Sequence, residues 1–307
     1  MTRIQSAVSC VVGALLAACA DMQFSLPGVA QNPDGQKFPG KVIWHDLITD
    51  TPEQTRAFYS GLLGWTFQEL PLETANYTLI YHRGRAIGGM VDQNQLRTDA
   101  DISQWVVVIS VEDVERATAA AVASGGEVIT APTSLGERGD IAVVADSDGA
   151  AVALLQTRDG DPDESGMKAD TGDFLWDELW SVDPPASLAF YSDVIGYRPE
   201  RRRVGGAGTQ MDYYLLTSHG QPRAGLRQRP RPDIATTWVS YLRVTDSDQL
   251  DSLLSKVENL GGRILIPATD RPSGGRVALI AGPSGAGIAL QTWNHGESGA
   301  APVETHQ

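Results

Sequence analysis

The apolar positions of this chain fall into short runs divided by Gly, Pro and polar residues, and the order of those runs predicts its elements. A β-rich run from Val42 to Ile48 leads through a turn into a helix over Pro52 to Leu63. That helix carries proline in its first turn and stops before Gly64, the asymmetry expected at helix ends. Three short strands follow at Thr66 to Leu70, Tyr77 to His82 and Ala86 to Val91, broken by Gly84. Trp105 to Val111 restarts the pattern. Asp113 caps a second helix that runs to Ser124, and Gly125-Gly126 stops it. Strands then come near Glu127 to Thr130, Ile141 to Ala145 and Val152 to Gln156. The unit is βαβββ, twice over.

The whole pattern then recurs. Ile43-Trp44-His45-Asp46-Leu47 aligns with Leu175-Trp176-Asp177-Glu178-Leu179 at an offset of 132, and 43–65 against 175–197 holds eight identities. Both runs reach an Ala-Phe-Tyr-Ser (Ala57 to Ser60, Ala189 to Ser192) and then Gly64-Trp65 or Gly196-Tyr197. Trp105 to Val111 matches Trp238 to Val244, Gly125-Gly126 matches Gly261-Gly262, and Asp146 to Gly149 matches Gly282 to Gly285, with offsets drifting to 136. Repeats of this length are duplicated domains rather than solenoid units.

Composition fills in the flanks. With 24 Lys plus Arg against 38 Asp plus Glu, the net charge of −14 repels phosphate backbones, so nucleic acid is not an expected partner. The basic runs Arg201-Arg202-Arg203 and Arg227/Arg229/Arg231 read as solvated loops. Two cysteines are too few for a disulfide scaffold or a Cys-rich zinc module. Residues 1–18 form a short basic start and an apolar stretch too short to span a bilayer, hence an export signal. The Gly-, Pro-, Asn- and Gln-rich segment 19–40 reads as a tether, 158–171 as an acidic linker and 295–307 as a flexible tail, leaving domains at 41–157 and 172–294.

Two resemblances sharpen this reading. Leu16-Ala17-Ala18-Cys19 resembles the lipobox of bacterial lipoproteins. It implies cleavage before Cys19, lipidation there and a cell-envelope protein; with Ala20 following, it implies an outer-membrane anchor facing the periplasm in a two-membrane host. The βαβββ order, with Ala-Phe-Tyr before Gly-Trp or Gly-Tyr and an Asp/Ser-x-Gly turn before the last strand, resembles the vicinal oxygen chelate superfamily of glyoxalase I, extradiol dioxygenases and bleomycin-resistance proteins. That resemblance implies an α+β chain of four βαβββ modules forming two tandem half-barrels, each with a concave site.

Metal-dependent members of that superfamily place His, Gln or Glu on the first strand of each module and Glu on a final strand. The corresponding positions here are Trp44 and Trp176, Val106 and Val239, and Ala153 and Ala289. None carries a metal donor. His45 is the one metal candidate, one residue beyond the ligand position; strand alternation aims it away from Trp44, and its counterpart is Asp177. Neither a nucleophile elbow nor a metalloprotease motif is present. The expectation is therefore no metal or other cofactor, with a divalent metal only in the enzymatic alternative.

Candidate ligand-binding residues are Trp44 and Asp46 on one strand face, Trp176, Glu178 and Trp180 on the equivalent face, and Trp105, with no catalytic residue assigned. A carboxylate beside an indole suits a cationic or hydrogen-bonding ligand, or a base if apolar walls raise its pKa. The alternative is that the indoles fill the interior and the acids pair with an arginine such as Arg243. Three functions stay open: a metal-free protein binding a small molecule, a metal-dependent lyase or dioxygenase, and an envelope protein-interaction module. The partners expected are a small molecule and the membrane, with a homodimer left open.

Overall fold

The computed structural model describes residues 25–30, 34–71, 76–96, 98, 100–163, 169–205, 210–271 and 275–293. The signal segment, Cys19 and the tail lie outside them. The first repeat contains β1 (Val42–Thr49), α1 (Pro52–Leu63), β2 (Thr66–Pro71), β3 (Asn76–His82) and β4 (Arg85–Asp92), then β5 (Gln104–Ser110), α2 (Val114–Ala123), β6 (Glu127–Ser134), β7 (Gly139–Ala145) and β8 (Ala151–Thr157). The second contains β9 (Phe174–Ser181), α3 (Pro184–Ile195), β10 (Arg198–Val204), β11 (Met211–Ser218) and β12 (Gln221–Gln228), then β13 (Thr237–Val244), α4 (Ser247–Val257), β14 (Arg263–Asp270), β15 (Arg276–Ala281) and β16 (Gly287–Thr292).

Each repeat makes one eight-stranded sheet, ordered β2-β3-β4-β1-β5-β8-β7-β6 and β10-β11-β12-β9-β13-β16-β15-β14. The helical crossover within a module makes its first and last strands parallel, β1 with β4 and β9 with β12. The two modules meet antiparallel at β1–β5 and β9–β13. This is the α+β architecture of tandem half-barrels expected above.

The local signals act as expected at helix ends. Asp113 accepts a hydrogen bond from the Arg116 amide (2.8 Å), Asp183 from Ala186 (3.2 Å) and Asp246 from Gln249 (2.9 Å). Gly64 and Gly196 end α1 and α3 in left-handed conformation, at φ 71° and 80°.

The helix-side faces of the two sheets bury each other. One core joins α2 of the first repeat to α3 of the second, through Val114, Ala117, Phe190, Tyr191 and Trp238. The other joins α1 to α4, through Phe58, Tyr59, Trp65, Trp105 and Leu253. The Phe of each Ala-Phe-Tyr-Ser packs on the Gly-Gly turn of the other repeat. A Cβ at Gly262 would lie 2.4 Å from the Phe58 ring, and one at Gly126 would lie 2.7 Å from Phe190. The second glycine of each pair is thus required by the other repeat's ring.

This arrangement corrects one expectation. Trp105 belongs to the core between the repeats and not to a cleft: its Nε1 donates to the Tyr59 hydroxyl (3.1 Å), and it packs on Phe174. Along β5, Val106 and Val108 take the concave face, so alternation turns Trp105 to the helix side. Trp238, its repeat counterpart, bonds Tyr191 in the same way (2.8 Å).

Candidate ligand cleft

Opposite the helices, each sheet curls around a concave face with the same floor. In the first repeat, Trp44 Nε1 donates to Asp46 Oδ1 (3.1 Å) and to the Tyr77 hydroxyl (2.9 Å), and Tyr77 donates to Asp46 Oδ1. In the second, Trp176 Nε1 donates to the Tyr213 hydroxyl (3.0 Å), and Tyr213 donates to Glu178 Oε1 (3.2 Å). A glycine on the neighbouring strand leaves room for each tyrosine hydroxyl. A Cβ at Gly89 would lie 1.8 Å from that of Tyr77, and one at Gly225 would lie 1.9 Å from that of Tyr213.

Around this shared floor the two repeats diverge. The parallel register places Ile48 beside Val91 in the first and Trp180 beside Arg227 in the second. Val108 and Leu155 on the first concave face have Tyr241 and Gln291 as their counterparts. The first face is accordingly apolar, and the chain fills it. Within the segment expected to be a tether, Ser25–Ala30 docks there, burying Leu26 and Val29 against Trp44, Ile102 and Leu135. Leu26 N donates to Leu135 O (2.9 Å), and the Ser25 hydroxyl accepts from Glu137 N (3.1 Å). Arg138 locks the plug. Its guanidinium carbon lies 4.8 Å from the Trp44 ring centre, Nη1 donates to Tyr77 (2.9 Å), and Nε donates to Pro27 O (3.0 Å). Burying Leu26 and Val29 contributes about 1.5–3 kcal/mol each, and the hydrogen bonds to Leu135, Glu137 and Arg138 add to it against the cost of ordering the segment.

The second face is open. It holds a cavity of about 300 Å³, walled by Trp180, Met211, Tyr213, Tyr241, Ile266 and Leu279 and reached by Arg227 and Arg271. Glu178, fully buried beneath it, accepts hydrogen bonds from Tyr241, from Trp180 Nε1 (3.2 Å), from Tyr213 and from Arg271 Nη2 (2.8 Å). Burial pushes this carboxyl up, but Arg271 and Arg227 outweigh it and bring it down to about 2. Such a carboxylate is a poor proton acceptor. Asp46 shifts the other way, raised by burial against the opposing charge of Arg138.

The sequence-predicted residues are now placed. Trp180 lines the cavity; Glu178 and Trp176 sit beneath it, tied to Tyr213; Trp44 and Asp46 form the floor of the plugged face. The arginine paired with the acid is Arg271 rather than Arg243, which bonds Trp293 O and Thr171 instead. Sequence reasoning missed Arg138, Arg271 and Gln291. Arg138 and Arg271 stand on the β6–β7 and β14–β15 connections, where no strand alternation announces an inward side chain; Arg227, expected in a solvated basic loop, stands instead on β12 and lines the cavity, and Arg201–Arg203 stand on β10. Gln291 was within reach, two residues after Ala289 on the same face.

The fold family implies a metal at such a face, and the donor set here does not fit one. Val106, Ala153, Val239 and Ala289 face the concave side without donor atoms. The two oxygen donors that do converge, Glu178 Oε1 and Gln291 Oε1, both accept from Arg271, whose guanidinium holds the place between them. His45 lies on the helix side, its ring stacked 3.6 Å from Phe174 and its Nε2 3.0 Å from Asp177. Among the described residues no group of three or more His, Cys, Asp or Glu could hold a metal ion.

Known proteins resemble this chain in sequence or in fold. "Putative glyoxylase CFP32" of Mycobacterium tuberculosis is 27% identical over 249 residues, 80% of this chain and 92% of that protein. The anthracycline biosynthesis protein DnrV of Streptomyces peucetius is 27% identical over 277 residues, 86% and 97% of the two chains. Among solved structures, the 2,3-dioxygenase LapB of Pseudomonas sp. KL28 superposes with a TM-score of 0.56 at 13% identity, covering 85% of this chain and 94% of that one. The Mn(II)-bound glyoxalase of Novosphingobium aromaticivorans gives 0.54 at 12% identity, covering 83% and 82%. These structural likenesses carry the fold alone. The profile of one family matches residues 41–154 and again 176–290, so the chain belongs to the Glyoxalase/Bleomycin resistance protein/Dioxygenase superfamily.

Proposed function

We propose that this protein binds a small organic molecule, without a metal, in the cleft of its second repeat. One observation carries the reading: a cavity of about 300 Å³ lies over a floor whose converging carboxylate and amide oxygens are already bonded to Arg271. A volume of that size takes a compact ligand, and largely apolar walls with few polar groups are the usual make-up of such sites. The plug in the first repeat supports a single binding cleft per chain. Similarity to a protein named for anthracycline biosynthesis supports a small-molecule role.

The same reading includes the membrane. A lipid on Cys19 anchors the chain to the envelope, facing the periplasm in a two-membrane host. Only five residues, six Cα-to-Cα steps, separate Cys19 from the docked Ser25. Fully extended they span about 20 Å, so the plug holds the body against the bilayer surface.

Elemental analysis and native mass spectrometry of the protein purified without chelators test the cleft. The expected result is less than stoichiometric metal and one small molecule, trapped or added, per chain. One equivalent of manganese, iron or zinc that is lost in Glu178→Gln would overturn the reading in favour of a metal-dependent lyase or dioxygenase. Membrane fractionation of the wild type and Cys19→Ala tests the anchor: wild type with the membranes, variant released.

A further inference from the structure

The duplication supplies its own control for what the second cleft selects. Both repeats keep the Trp–Tyr–carboxylate floor, but at one adjacent pair of positions they differ completely: Ile48 and Val91 in the plugged face, Trp180 and Arg227 in the open one. The guanidinium carbon of Arg227 lies 5.8 Å from the Trp180 ring centre, and both side chains line the cavity. A guanidinium laid along an indole keeps its N–H edge available for an acceptor. Arg227 spends only Nε, on the Gln228 carbonyl at 3.3 Å; its two Nη groups make no hydrogen bond among the described residues.

Charge points the same way. Among the described residues Glu178 is the one carboxylate beneath the cavity floor, and Arg271 already pairs with it at 2.8 Å. Inside the rim, Arg227 therefore adds a second positive charge against a single carboxylate. Asp270 reaches the wall only at its exposed rim, and Arg276 opposite it in the strand pair bonds Asp251. The remaining walls are aromatic or aliphatic, with Thr269 beside Asp270.

We infer that the cleft selects planar aromatic acids, the ring system lying among Trp180, Tyr241 and Met211 and the anionic group meeting the free edge of Arg227. This rests on the cleft reading above and adds the ligand class. An apolar ring fits walls with few donors, while a carboxylate or phenolate pairs with a guanidinium through charge-assisted hydrogen bonds that a neutral isostere lacks.

Calorimetric titration with three matched probes tests it: 2-naphthoate, neutral 2-naphthamide and 2-naphthylmethylammonium. The expected order is naphthoate about tenfold tighter than the amide, with the ammonium weakest, a tenfold step being the size of one good charge-assisted contact. Arg227→Gln should abolish that preference, the naphthoate and the amide then binding alike. Arg227→Lys should keep part of it, because charge survives while the fork is lost. Arg227 is partly exposed and Glu178 keeps its pair with Arg271, so both variants are expected to be folded at the temperature of the titration. Equal binding of all three probes, or a naphthoate preference that persists in Arg227→Gln, would overturn the ligand class and leave the cleft reading standing. No binding of any probe would overturn both.

Discussion

His45 and Asp177 occupy the same position in the two repeats, and they touch: Nε2 of His45 lies 3.0 Å from Oδ1 of Asp177, buried between the domains. Asp177 also accepts from the Ser240 hydroxyl at 2.6 Å, and Phe174 stacks on the imidazole. A residue pair related by the internal duplication meets near the pseudo-two-fold relation between the sheets. The histidine nearest an expected metal position thus serves the interface between the repeats.

His45→Ala and Asp177→Ala should each destabilise the protein by about 2 kcal/mol, the cost of a buried polar group left without its partner. Denaturant unfolding of both variants and the double variant gives the coupling between them, which should be clearly non-additive. Ligand affinity in the cleft should stay at the wild-type level. Additive effects would mean the two side chains do not depend on each other.

Gly225→Ala should damage the open cleft specifically. The new methyl would press on the Tyr213 hydroxyl that bonds Glu178. Overpacking of this kind costs about 1–3 kcal/mol. Thermal unfolding should show that loss, and calorimetry should show weaker probe binding. Gly89→Ala should cost similar stability while leaving probe affinity intact, because its tyrosine faces the plugged side.

The Glu178 carboxyl, held down to about 2 in the folded chain against an ordinary value of 4.5, takes up protons more readily once unfolded. It therefore contributes stability that is present above about pH 4.5 and lost as pH falls toward 2. Glu178→Gln should be less stable than wild type at neutral pH, leaving Arg271 buried without its counter-charge. The gap between the two should narrow as acid is added. Unfolding of both proteins from pH 7 to pH 2 checks this; a gap constant with pH would place the stabilisation elsewhere.

Leu26→Ala should loosen the plug. Large-to-small changes at buried leucines cost about 2–5 kcal/mol, and the lower end applies where the side chain belongs to a short docked segment. Limited proteolysis should cut between residues 25 and 30 faster than in the wild type, while cleft affinity is unchanged.

The fold was legible because its signals are local. Proline at the start of α1, the Asp113 cap of α2 and the glycines after both helices mark element ends through interactions confined to one turn, and the observed bounds of these helices fall within a residue or so of those expected. The face carrying Trp44 with Asp46, and Trp176 with Glu178 and Trp180, was legible for the same reason: strand side chains alternate with period two. Trp105 was misread because both faces of β5 are buried, so hydrophobicity does not say which side is concave.

Sequence alone determined the four βαβββ modules, their duplication, and the absence of donor side chains at the expected metal positions, since each follows from identity and short-range pattern. Tertiary structure decided which hollow is open. That choice depends on contacts between residues far apart in the chain: Leu26 on Leu135 and Arg138 on Pro27, each more than a hundred positions apart, and each Phe against the other repeat's glycine. Arg271 likewise reaches Glu178 from 93 residues away. No local periodicity encodes such meetings; they exist only once both sheets have closed and the side chains compete for the same buried space.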